Sequence, residues 1–276
     1  MKRNYTTFCI LILFITQSGC VKRYHNNLNS VLWLQTSAEY QLITSQTYKL
    51  ANSAIDKALS DKNWSAFPPQ KARGKYSGLD PAIIMDIDET ILDNSPFNAQ
   101  LILDNKNFNS SVMDAWVSLS NATAISGAVQ FVTEAKEKGV KIFYITNRMC
   151  KKRESGISPC PQKKDTLQNM NNVGFPKVTD SGELLLRYEQ PSWNDDKESR
   201  RKFVAKNHRI ILMVGDDLGD FIKDVKHYNT PERRSLIVGK YESYWGEKWF
   251  ILPNPAYGSW LKILSQPREQ YLRGFN

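Results

Sequence analysis

The sequence predicts an α/β fold, a parallel sheet wrapped by helices, on three observations. Short, continuously apolar runs alternate with segments of helical periodicity beyond residue 82. Three of those runs end in reactive sequence, as strands do when their carboxyl ends converge on one crevice. Once an N-terminal leader is set aside, about 250 residues remain, which suits one domain carrying a small insertion.

The leader comes first. Lys2 and Arg3 supply positive charge, residues 8–15 (FCILILFI) are apolar, and Gln17-Ser18-Gly19-Cys20 closes the run with small residues. This is a secretory signal peptide over 1–19, too short to span a bilayer as a mature helix. The Ser-Gly-Cys ending resembles a bacterial lipobox, with Gln17 where an aliphatic residue is usual. Cys20 is therefore the expected lipidation site, with simple secretion and an unmodified Cys20 as the alternative. Residues 20–30 read as a polar tether and 31–276 as the folded domain.

From Val31 to Leu59, apolar positions recur every three or four residues, which predicts a long amphipathic helix or a broken pair. Pro68-Pro69 and the stretch 74–78 mark a connection. Ala82 to Ile87 is the first buried strand. Residues 94–124, Asn-rich and aromatic, interrupt the alternation and read as an insertion over the end of that strand. The alternation then resumes. A helix is expected over 127–138, a strand over 140–145, a helix over 166–173 and a strand over 183–186. A helix over 197–206, a strand over 209–214, a helix over 218–226 and a fifth strand over 235–238 complete it.

Composition is that of a globular chain, 41% hydrophobic and 24% charged, with a formal net charge of +9. The basic residues are scattered, and no aromatic-basic stripe or groove-reading motif accompanies them, which argues against a nucleic-acid polymer as partner. One basic cluster, Arg148, Lys151, Lys152, Arg153, Lys163 and Lys164, reads either as a solvated loop or as an attractor of anionic substrate. Of four cysteines, Cys9 leaves with the leader and Cys20 would carry lipid. Cys150 and Cys160 remain, ten apart in a polar segment of an exported chain, and are expected to pair. They are no metal pair, because only three histidines exist to complete such a site.

The strand ends carry the chemistry. The first ends in Asp86-Ile87-Asp88-Glu89-Thr90, the second in Thr146-Asn147-Arg148, and the fourth in Gly215-Asp216-Asp217-Leu218-Gly219-Asp220. Carboxylates directly after buried strands are costly unless paired or bound to a cation. Oxygen-only ligands favour a hard divalent ion, Mg²⁺.

Asp86-Ile87-Asp88-Glu89-Thr90 matches the DxDxT signature of the haloacid dehalogenase (HAD) phosphohydrolases. IMDIDETILDNSPF (84–97) and VGDDLGDF (214–221) resemble the class C bacterial acid phosphatases, the lipoprotein-type 5′-nucleotidases. WLQTSAEY (33–40), ITNR (145–148), CPQKKDTL (160–167) and FILPNPAYGSW (250–260) extend the resemblance over nearly the whole mature chain. Phe97, where Tyr is usual, and Asp217, where Asn or Glu is usual, depart from it.

The resemblance implies a HAD-like Rossmannoid sheet, with a small helical cap built from an N-terminal helix and the insertion at about 94–124. It implies that Asp86 is the nucleophile, forming an aspartyl-phosphate, and that Asp88 is the general acid and then the base. An acidic pH optimum is expected, because Asp88 must be protonated to donate. Thr146 would hydrogen-bond the phosphoryl group and Lys197 neutralise it, with Lys202 in reserve; Asn147 is a candidate substrate contact. Mg²⁺ would take the Asp86 carboxylate, the Asp88 carbonyl and Asp216, with Asp220 orienting the waters of its shell and Asp217 facing solvent. Trp116 and Tyr257 match aromatic residues that sandwich a nucleotide base.

The expected activity is hydrolysis of small phosphomonoesters, nucleoside 5′-monophosphates above all, at the cell envelope through an outer-membrane lipid anchor. Two alternatives stand beside it: phosphotransfer to an acceptor alcohol, and a non-catalytic surface lipoprotein. Relatives of this class are often dimeric, so a homodimer is carried as an expectation.

Overall fold

A computed structural model describes residues 25–154, 156–178 and 181–275. The signal peptide and Cys20 lie outside the described residues. Helices α1 (Leu28–Thr36) and α2 (Ala38–Ser60) are the broken pair, and Ser37 breaks them. Its backbone is extended, its Oγ donates to Trp33 O at 2.7 Å, and it accepts from Tyr40 N at 3.2 Å, so one hydroxyl ends one helix and caps the next. Helix α1 begins at Leu28, inside the stretch read as tether.

After α3 (Pro68–Arg73) comes β1 (Asp80–Met85). The insertion follows: β2 (Leu92–Asp93), α4 (Ser95–Leu103), α5 (Ser110–Leu119) and β3 (Thr123–Ala124). Strands β2 and β3 pair antiparallel, Leu92 opposite Ala124, and close its base. The alternation continues through α6 (Ala128–Glu137), β4 (Lys141–Met149), α7 (Pro161–Asn172), β5 (Leu184–Arg187), α8 (Glu198–Val204) and β6 (His208–Gly215). Helix α9 (Pro231–Lys240), β7 (Trp249–Ile251) and α10 (Ser259–Lys262) complete it.

The main sheet is parallel, in the order β5-β4-β1-β6-β7. β1 sits at the centre with Ile84 opposite Phe143 of β4 and Met213 of β6, so three carboxyl ends meet where the strand order reverses. Alternate residues of β1 feed two apolar layers. Ile83 and Met85 pack with Tyr48, Ile55 and Phe131 of α2 and α6; Ala82 and Ile84 pack with Trp193, Val204 and Trp249. A strand covered on both faces must be apolar throughout, which is why β1 was legible as a run. Helix α1 packs on α4 and α5 on α7, while α2 lies against α6 and β6 as part of the helical layer.

Two sequence expectations are corrected. Residues 235–238 are not a strand but the middle of α9, whose start is fixed by Thr230 Oγ1 accepting from Arg233 N and by Pro231 in the first turn. The fifth strand is β7, with Phe250 in register with Val214. Residues 218–226 form two short 3₁₀ turns, Leu218–Asp220 and Val225–His227, because Asp217 and Asp220 cap the first turn reciprocally and Asp224 takes a left-handed conformation (φ 51°).

Candidate active site

Asp86 continues the β1 ladder by one bond, its N–H donating to Val214 O at 3.0 Å. The chain then turns sharply. Glu89 adopts φ 55°, the N–H groups of Ile91 and Leu92 both return to Ile87 O at 2.9 Å, and Tyr48 of α2 donates to Thr90 O at 2.6 Å. The Asp86 side chain sits just before that turn, beside Lys197 and the carboxylates that follow β6.

Lys197, at the N-cap of α8, is buried and donates to Asp86 Oδ1 and, at 2.6 Å, to Asp220 Oδ1. The other Asp220 oxygen accepts the N–H groups of Asp216 (3.1 Å) and Asp217 (3.0 Å). Gly215 makes room for this: a Cβ there would lie 2.3 Å from Asp220 Oδ2. Asp216 takes Asn254 Nδ2 at 2.8 Å and the Thr90 hydroxyl at 3.4 Å. Carboxylate oxygens of Asp86, Asp216 and Asp220 lie within 4.8 Å of one another.

Burial pushes the Asp86 carboxyl up to about 7; Lys197 draws it down, and Asp220 and Asp88 add to the rise. Burial, with Asp220, Asp86 and Glu89, raises Asp216 well above the ordinary range. Burial works against the charge of Lys197, but Asp220 and Asp86 outweigh it and the ammonium is held more firmly. Lys197 reaches two of the three carboxylates, whereas Asp216 has an amide and a hydroxyl for partners. Three converging carboxylates beside one ammonium, with oxygen donors alone, fit a hard divalent cation.

Asp88 faces the opposite wall. Its Oδ1 accepts from Arg148 Nε (3.0 Å), Arg148 Nη2 (2.8 Å) and Asn94 Nδ2 (2.8 Å), and its Oδ2 from Thr146 Oγ1 at 3.3 Å. Arg148 is anchored in turn by Nη1 to Thr166 Oγ1 at 3.0 Å. Arg200 donates to Thr146 O and to Asn147 Oδ1, and Asn147 Nδ2 donates to Asp195 O, so this strand end is fixed from α8.

The fold thus brings Asp86, Asp88, Thr146, Lys197, Asp216 and Asp220 to one sheet edge. All of these but Thr146, which is fully buried and donates to Asp88, open into a cavity of about 2150 Å³, which Asn147, Phe97, Phe108 and Tyr257 also line. Trp116 stands back from the lining; it is half-buried against the core and donates its indole N–H to Asn94. Asp217 does not face solvent unpaired: it accepts from Gly219 N, Ser259 N and Ser259 Oγ, tying the β6 loop to α10.

Cys150 and Cys160 are joined in a disulfide. The loop between them carries Arg153, which grips Asp114 of α5 at 2.7 and 2.8 Å and Asp165 of α7 at 2.7 Å. The basic cluster therefore divides. Arg148, Arg153 and Lys163 are committed to carboxylates, while Lys151 and Lys152 line the cavity. Sequence reasoning named Arg148 and Glu89 only within strand-end runs, and Arg148 in the basic cluster, without giving either its own role, and it passed over Asn94 and Asn254. For Arg148 the available signal was its position directly after Thr146-Asn147 at a strand end.

The sequence model of the HAD superfamily, subfamily IIIB (acid phosphatase), matches residues 13–260. Among solved structures, the class C acid phosphatase from Bacillus anthracis aligns with a TM-score of 0.70 at 31% identity, covering 91% of this chain and 98% of that one. The same protein with tungstate bound aligns equally well. Acid phosphatase 1 of Solanum lycopersicum is 25% identical over 178 residues, 63% of this chain and 57% of its own length. The stem 28 kDa glycoprotein of Glycine max is 23% identical over 144 residues, 50% of this chain and 52% of its own. The chain thus spans about half the length of these plant relatives. With a family match over most of the sequence and the strand-end site in place, the chain belongs to subfamily IIIB of the HAD superfamily, the acid phosphatases.

Proposed function

We propose that this chain is a Mg²⁺-dependent acid phosphatase that hydrolyses phosphomonoesters, nucleoside 5′-monophosphates among them, through an aspartyl-phosphate at Asp86. The observation that carries the reading is the seating of the Asp86 carboxylate at the end of β1, held by Lys197 beside Asp216 and Asp220.

An Asp86 oxygen attacks phosphorus, the bond from phosphorus to the ester oxygen breaks, and the departing alkoxide takes a proton from Asp88. Water then attacks the acyl-phosphate phosphorus and gives its proton to Asp88. The Asp86 carboxylate leaves and phosphate is freed. Lys197 and Thr146 balance and orient the phosphoryl oxygens. Asp86, Asp216 and the Asp88 carbonyl would hold Mg²⁺, with Asp220 behind them; the ion supplies positive charge against the phosphoryl oxygens. Tyr257, Phe97 and Phe108 offer aromatic surface to a base at the cavity wall, and Lys151 and Lys152 favour anionic substrates.

Export and lipid anchoring through Cys20 at the outer membrane belong to the same reading, as does a homodimer. The direct check is turnover of p-nitrophenyl phosphate at pH 5 to 6, before EDTA treatment, after it, and after restoring Mg²⁺. Loss and recovery support the assignment, and indifference to chelation contradicts it.

A further inference from the structure

Trp116, on the insertion helix α5, reaches Asp88 through a single residue. Its Nε1 donates to Asn94 Oδ1 at 2.7 Å, and Asn94 Nδ2 donates to Asp88 Oδ1 at 2.8 Å. An indole N–H can only donate, so the asparagine carbonyl must face Trp116 and its NH₂ group must face away. That leaves the NH₂ between two carboxyl groups, Asp88 and Glu89, the latter at 3.4 Å. The Asn94 backbone N–H adds a bond to Glu89 Oε1 at 2.9 Å, and the residue is fully buried. Its amide therefore has one orientation, set from the insertion.

The consequence falls on Asp88. With Nε and Nη2 of Arg148 and Nδ2 of Asn94 all directed at Oδ1, that oxygen is saturated by donors. Oδ2 is left beside Thr146 Oγ1, at the wall of the cavity. We propose that Trp116 and Asn94 are positioning residues for the acid–base step: they turn Oδ2 of Asp88 toward the oxygen of the leaving alcohol. This rests on the reading of Asp88 as acid and base. It gives Trp116 a task distinct from stacking on a nucleotide, and it makes the insertion part of the catalytic alignment as well as the cavity wall. The helix that bears Trp116 is itself held through Asp114, which accepts from Arg153 of the disulfide loop.

The test is the dependence of kcat/KM on the leaving group, because p-nitrophenolate departs with little protonation and an alkoxide does not. Trp116→Phe keeps the ring and removes the donor. It is expected to lose about tenfold on an alkyl phosphate and less than about twofold on p-nitrophenyl phosphate, a fraction of the 10²–10⁴ that a well-placed acid contributes. Asn94→Ala should show the same selective loss, and adding Trp116→Phe to it should change nothing further. A uniform loss across leaving groups, additive effects in the double variant, or a change confined to KM for nucleotides would overturn the proposal. Asp88→Asn separates the two possible failures. If that variant also loses activity evenly across leaving groups, the acid–base reading itself falls, and the positioning role with it.

Discussion

Lys197 Nζ lies 2.6 Å from Asp220 Oδ1, and the other oxygen of that carboxylate holds the N–H groups of Asp216 and Asp217. One aspartate thus fixes both the lysine that contacts Asp86 and the loop that presents Asp216. Lys197→Met removes the ammonium from a buried cluster of three acids. Breaking a buried ion pair typically costs about 3–5 kcal/mol. Urea unfolding in EDTA should show a loss of that order, partly recovered on adding Mg²⁺, and kcat should drop by at least about 10²-fold.

Gly215→Ala tests the same arrangement without touching a charge. The new Cβ would occupy the place of the Asp220 carboxylate, 2.3 Å from its Oδ2. Displacing Asp220 frees the Asp216 loop, so the affinity for Mg²⁺ read by calorimetry should weaken by about 10–100-fold. An unchanged affinity would show that Asp220 has no part in holding the metal loop.

Metal-free protein should be more stable in mild acid than at neutrality. Asp86, Asp216 and Glu89 all have folded-state pKa values raised, chiefly by burial, the first to about 7. Unfolded carboxyls titrate near about 4. Between those values the folded chain keeps protons that the unfolded chain has released, so stability is full below the lower value and falls as pH rises through the higher. Asp114, held low first by its bonds from Arg153, acts in the opposite sense and only below this window. Tm in EDTA should therefore fall from pH 5 to pH 7.5, and the gain on adding Mg²⁺ should be larger at pH 7.5. A Tm in EDTA that rises over that interval contradicts the charge balance described.

Cys160→Ser opens the loop that carries Arg153. A cross-link spanning a loop of this kind contributes about 2–4 kcal/mol. Chemical denaturation should report a loss within that range. Because Arg153 grips Asp114 of α5, the helix that bears Trp116, kcat/KM should fall more on an alkyl phosphate than on p-nitrophenyl phosphate.

The sheet and the acidic edge were legible because each rests on a local signal. Buried parallel strands such as β1 must be apolar at every position, and carboxylates directly after such strands have few explanations. Ser235 to Val238 misled for a physical reason: a short β-branched run looks alike in a strand and on a helix, and only Thr230 and Pro231 upstream decide it. The true edge strand, Trp249–Ile251, is three residues long and too short to show a period. Arg148 was hidden among neighbouring lysines, since charge counting gives no side-chain direction. The register of β4 leaves Asn147 exposed and buries Arg148 against Asp88. Asp217 and Asp220 differ by backbone geometry alone, which an acidic run does not reveal.

The central claim is that Asp86 carries the phosphoryl group. Its most direct test is acid quenching of the Mg²⁺-loaded Asp88→Asn variant during turnover of p-nitrophenyl phosphate, followed by peptide mass spectrometry. That substrate needs little protonation of its leaving group, while the missing base slows attack by water, so the acyl-phosphate should accumulate. One hydroxylamine-sensitive phosphoryl group is expected on Asp86, absent from Asp86→Asn, which should also release no phosphate. Phosphate release by Asp86→Asn, or a phosphoryl group found on another residue, would contradict it.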